Sequence, residues 1–69
     1  MMRYAVVIEK ANRNYSAYVP DLPGCVATGE TELEVREHMR EAIKMHVEGM
    51  LEDGEAIPQP SSSVEYIAA

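Results

Sequence analysis

At 69 residues the chain has room for one domain, residues 1–69, and 46% apolar residues make disorder an unsuitable reading. A chain this short buries only about 60% of the surface its unfolded form exposes, so it relies on a staple or on oligomerisation. The single cysteine, Cys25, excludes an intrachain disulfide, and the net charge of −6 argues against direct nucleic-acid binding, which rests on basic patches.

The charge is not spread evenly. Residues 30–55 hold nine acidic and three basic side chains, and the remainder holds three of each. An acidic surface keeps a small protein soluble and also matches a basic partner. No apolar run approaches the roughly 18 residues of a membrane span. The start, Met1-Met2-Arg3-Tyr4, leads straight into a strand-like run without the apolar core of a signal peptide. A lone unpaired cysteine fits a reducing compartment, so the expected location is cytoplasmic.

Arg3 to Glu9 is rich in β-branched and aromatic residues and predicts a first strand. Tyr4, Val6 and Ile8 share one face and Ala5 and Val7 the other, which reads as a central strand. A polar turn at 10–14 then joins it to a second strand, Tyr15 to Val19, as an antiparallel hairpin. Pro20 and Pro23 forbid a continuing ladder, and Pro23-Gly24 suits the centre of a type II turn. Val26 to Thr28 is the third strand.

Thr31 to Gly54 predicts one long amphipathic helix. Thr31 and Glu34 form a capping box, with Glu34 expected to reach back to the N-cap, and Gly54 supplies the C′ position. At about 100° per residue, Val35, Met39, Ala42, Ile43, His46 and Met50 fall in one stripe. Beyond the helix, Pro58-Gln59-Pro60 is extended, Ser61 to Ser63 is a connector, and Val64 to Ile67 alternates as a last strand.

The expected fold is therefore α+β, β-β-β-α-β. The helix acts as a crossover, giving a four-stranded mixed sheet in order 3-2-1-4. The helix covers one face of the sheet. The other face, carrying Ala5 and Val7 or alternatively Tyr4, Val6 and Ile8, is left for a second copy, so a homodimer or a tetramer of dimers is expected.

The chemistry-bearing residues are few. His38 and His46 stand eight apart, not the four of a metalloprotease helix, so no metal is expected. Cys25 has no basic neighbour in sequence and reads as a structural thiol. No spacing among the carboxylates marks the paired-metal site of a nuclease, and no cofactor motif is present. The run Asp21-Leu22-Pro23-Gly24-Cys25 is a rigid turn, and also a candidate contact loop presenting Leu22 to a partner with little entropy to lose.

Five stretches carry a resemblance: Tyr18 to Cys25, Gly29-Glu30-Thr31, Arg40 to Ile43, Gly54, and Ile57-Pro58 with Pro60. In that order they resemble the HicB antitoxin family. The Asp-Leu-Pro-Gly-Cys run followed by Gly-x-Thr is the most specific part. The resemblance implies a partial ribonuclease-H-like fold without catalysis, and a partner, a small RNA-cleaving HicA-like toxin. Many members carry C-terminal DNA-binding helices; the 69 residues depart from that pattern, and a short form is expected. The expected function is neutralisation of that toxin by covering it. The alternative is a solitary homo-oligomeric interaction module with no toxin partner.

Overall fold

A computed structural model describes residues 2–69; Met1, which opens the run read above as lacking a signal peptide, lies outside them. Three strands precede one helix: β1 (Val7–Lys10), β2 (Tyr15–Tyr18), β3 (Val26–Gly29) and α1 (Glu32–Glu52). The sheet is antiparallel throughout, in order β1-β2-β3. Ile8, Ala17 and Ala27 stand abreast across it, facing the helix.

The helix forms where its caps place it. Thr31 is extended, and its hydroxyl accepts from the Glu34 N–H at 3.0 Å. The Glu34 carboxylate reaches back one residue further than the usual box, to the Glu30 N–H at 3.0 Å. At the far end Gly54 takes φ +70, and the N–H groups of Gly54 and Glu55 donate to the Leu51 and Met50 carbonyls. That pair of bonds is a Schellman motif, which satisfies carbonyls the helix itself leaves open.

The core is small. Ala17, Val19, Leu22, Cys25, Val35 and Met39 are buried, with Ala42, Ile43, Val47 and Met50 packed partly against them. The predicted stripe is thus largely the buried face, with Val47 added. The helix lies over β3 and β2 and leaves the outer side of β1 less covered.

Four expectations are corrected. Val64 to Ile67 forms no strand, so the four-stranded mixed sheet of order 3-2-1-4 is replaced by three antiparallel strands. Alternation in that segment reports a local preference, whereas a strand needs a partner edge, and here the preceding serines are held elsewhere. The ribonuclease-H-like expectation came with the family resemblance, and a three-stranded antiparallel sheet with one helix does not support it. As a result β1 is an edge strand and not a central one. It also begins at Val7 instead of Arg3, because β2 ends at Tyr18 and Pro20 has no N–H to extend the ladder.

Candidate functional site

The loop from Val19 to Cys25 is two consecutive turns. The Leu22 N–H donates to the Val19 carbonyl at 3.1 Å, and the Cys25 N–H to the Leu22 carbonyl at 3.0 Å. Each turn has proline at its second position, where its fixed φ is an asset. Gly24 has φ +85, which the type II turn requires. Val19 N–H to Cys25 carbonyl, 3.1 Å, closes the loop.

This geometry splits the five loop residues. Leu22 is 0% exposed and Cys25 is buried, so both point into the core. Leu22 therefore cannot be the side chain offered to a partner, as the sequence reading had it. Burial also pushes the Cys25 thiol up from its ordinary pKa, away from the reactive thiolate. Pro23 and Gly24 are exposed, and Asp21 is partly so.

Asp21 has a second role that the sequence did not announce. Its carboxylate accepts from the backbone N–H groups of Ser61 and Ser62, each at 3.0 Å, and from their hydroxyls at 3.1 and 2.8 Å. Nearby, the Tyr4 hydroxyl donates to the Pro58 carbonyl at 2.6 Å. These contacts pin the C-terminal segment to the loop end of the sheet. The Ser62 and Ser61 N–H groups, in that order, hold the Asp21 carboxyl down from 3.8 to about 2.

A carboxyl depressed in the fold adds stability above its unfolded value of 3.8 and loses it as pH falls through about 2. The Ser61 and Ser62 amide resonances should therefore hold their positions at pH 3.8 and move with a midpoint near 2. A midpoint at the ordinary 3.8 would mean that the clamp does not form. Asp21→Asn should release both amides at neutral pH.

Beside the loop lies a shallow concavity where Pro23 faces His46 and Met50, rimmed by Asp53, Glu55 and Pro58. The last helical turn contains no basic residue, and Glu52 with the C-cap Asp53 sits against the negative end of the helix dipole. Such placement costs about 0.3–1 kcal/mol per charge. Helix stability alone therefore does not favour the acidic end.

His46 sits half-buried in this wall with no second ligand, and among the described residues no group of three or more His, Cys, Asp or Glu converges to hold a metal. His38 serves the fold: its Nδ1 lies 2.6 Å from the Thr28 carbonyl. A carbonyl oxygen only accepts, so that nitrogen carries the proton. No helix among the described residues is long and apolar enough to cross a membrane.

Comparison with known proteins turns this geometry into a family assignment. Residues 4–69 match the model described as "HicB_like antitoxin of bacterial toxin-antitoxin system". The chain belongs to the HicB-like antitoxin family. It is similar to an uncharacterized 14.9 kDa protein from the rep-hol intergenic region of Haemophilus phage HP1, with 46% identity over 66 residues. That match takes 96% of this chain but 50% of the phage protein, so the chain spans half of that relative's length. A UPF0150 protein of Thermoplasma acidophilum is 36% identical over 62 residues, covering 88% of this chain and 90% of the relative. Among solved structures, the fold matches a chain of a HicA3 and HicB3 toxin-antitoxin complex with a TM-score of 0.75 and 28% identity. This match covers 87% of the present HicB-like chain and 70% of the other.

Proposed function

We propose that this HicB-like chain is an antitoxin that binds a small, basic, RNA-cleaving HicA-like toxin and neutralises it by covering its surface. The observation that carries the reading is the family match across residues 4–69. The likeness to a chain of a HicA3 and HicB3 complex supports the choice of partner. The acidity of residues 30–55 supports it physically, since that field speeds encounter with a basic protein. The chain itself is not catalytic and takes no cofactor.

The contact surface in this reading is the exposed part of the loop, Asp21, Pro23 and Gly24, continued by the acidic concavity at the helix end. The rigid double turn presents it with little ordering cost. The chain does not hold RNA or DNA itself. It works in the cytoplasm as a homodimer or a tetramer of dimers. Exposed Val64, Tyr66 and Ile67 favour self-association, which is also what the solitary-module reading requires.

The test mixes the purified chain with the toxin encoded beside it and follows RNA cleavage. Cleavage should stop at equimolar chain, and the association rate should fall as salt rises. Full cleavage at excess chain would discard the antitoxin reading and leave the solitary module.

A further inference from the structure

Two edges of the sheet are open to addition, and they are not equivalent. Ala11 N–H donates to the Asn14 carbonyl at 2.8 Å, which fixes the phase of the β1–β2 ladder. Bonded and non-bonded pairs alternate in such a ladder, so Val7 and Glu9 bond to β2 while Ile8 and Lys10 turn their N–H and carbonyl groups outward. On β3 the same reasoning, anchored by the Val19–Cys25 bond, turns Thr28 outward. Its carbonyl already meets His38. The β3 edge is thus partly capped, and among the described residues no strand pairs with the outer edge of β1.

Beside the β1 edge runs a groove between β1 and α1. Its floor is Val6, Ile8 and Ile43, and its rim is Arg3, Arg36 and Arg40. Those three arginines are half of the chain's six basic residues. Arg40 also pairs with the exposed Glu37 at 3.7 Å, but on a molecule of net charge −6 the three arginines still make a locally basic strip over an apolar floor, and it suits an extended segment that is apolar and acidic.

The chain holds one such segment. Val64-Glu65-Tyr66-Ile67 is three large apolar residues around a glutamate, and Tyr66 and Ile67 are 96% and 87% exposed in their own molecule. The radius of gyration is 13.0 Å, against about 11 Å for a compact chain of this length. The tail is anchored through Ser61 and Ser62 at Asp21; beyond them Tyr66 borders a shallow hollow with Val6 and with Ile8 and Lys10 of its own β1, but among the described residues no hydrogen bond holds it there.

We propose that Val64–Ile67 of one copy docks as an added strand on the β1 edge of a second copy, Glu65 facing the Arg3, Arg36 and Arg40 rim. The swap is reciprocal, so one two-fold axis satisfies both edges and covers both tails. It rests on the self-association put forward above and names the surface that makes it. It also removes the two features of the single copy most prone to uncontrolled pairing, the outer β1 edge and an exposed apolar strand.

Amide hydrogen exchange on the full chain, run beside light scattering, tests this. The outward N–H groups of Ile8 and Lys10 should exchange at least about 100-fold more slowly at high than at low protein concentration, tracking the dimer. The double substitution Tyr66→Glu, Ile67→Glu alters only side chains already in solvent. It should give monomer mass, unchanged helical circular dichroism and fast exchange at both amides. A dimer in which Ile8 and Lys10 exchange freely overturns the strand swap while leaving self-association in place. Slow exchange at every concentration, with monomer mass, means that the tail closes on its own β1 and overturns it too. Monomer mass with fast exchange overturns both readings, and toxin neutralisation is measured separately.

Discussion

Leu22→Ala is expected to lower the melting temperature by roughly 10–30 °C. Leu22 is 0% exposed and is among the largest fully buried side chains, with Met39 and Val35. It hangs inward between two proline turns whose backbone is fixed at Val19, Leu22 and Cys25. A loop so closed cannot collapse into the space that the lost methyl groups leave, so the cavity persists. Leucine-to-alanine changes of this kind cost about 2–5 kcal/mol. A domain of this size holds only a few kcal/mol in total, at about 0.05–0.15 kcal/mol per residue. The loss is therefore a large share of the whole. Pro23→Ala, at the exposed neighbouring position, should cost no more than about 1 kcal/mol, through freedom regained by the unfolded chain. Thermal unfolding followed by circular dichroism compares the two. If Leu22→Ala melts with the parent, Leu22 is not a core residue and returns as a candidate contact.

Leu22 also shows where sequence was legible and where it was not. Features set by nearest neighbours were readable: the Thr31 cap, the Gly54 stop, the Pro23-Gly24 turn and the first three strands all depend on residues within a turn of one another. A leucine between two prolines belongs to no hydrophobic period, so nothing in the pattern tells whether it points in or out. The Asp21 clamp joins residues 40 positions apart, beyond the reach of any local rule. The serine run at 61–63 was the only trace of it, and it looked like a connector. The last strand failed for a related reason. Val64 to Ile67 has strand alternation, but alternation names a preference and not the edge that would satisfy it. The antitoxin resemblance, by contrast, rested on the order of several short runs, and the match over residues 4–69 bears it out.

Gly29→Ala and Gly49→Ala should change stability in opposite directions, and the contrast measures how tightly the helix is seated. A Cβ on Gly29 would lie 2.6 Å from the Val35 nitrogen, 2.9 Å from the Val35 Cα and 3.1 Å from the Glu34 carbonyl carbon. All three are backbone atoms of the first helical turn, so no side-chain rotation relieves the clash. Relief requires the start of α1 to lift off β3. Val35 and Met39, both buried, sit on the stretch that would lift, and the Thr31 cap anchors the same turn. Overpacking of this sort costs about 1–3 kcal/mol and occasionally more. Disturbing the cap adds about 1 kcal/mol. Gly49 is different: a Cβ there meets nothing within 4 Å, and the residue lies inside the helix. Alanine at that position should stabilise by roughly 0.5–1 kcal/mol, by limiting the unfolded chain and restoring helix propensity. Urea unfolding of both variants gives the difference directly, with the slope of the transition expected to stay the same. A Gly29→Ala chain as stable as the parent would mean that the helix does not approach β3 this closely, and the buried positions of Val35 and Met39 would need to be revised with it.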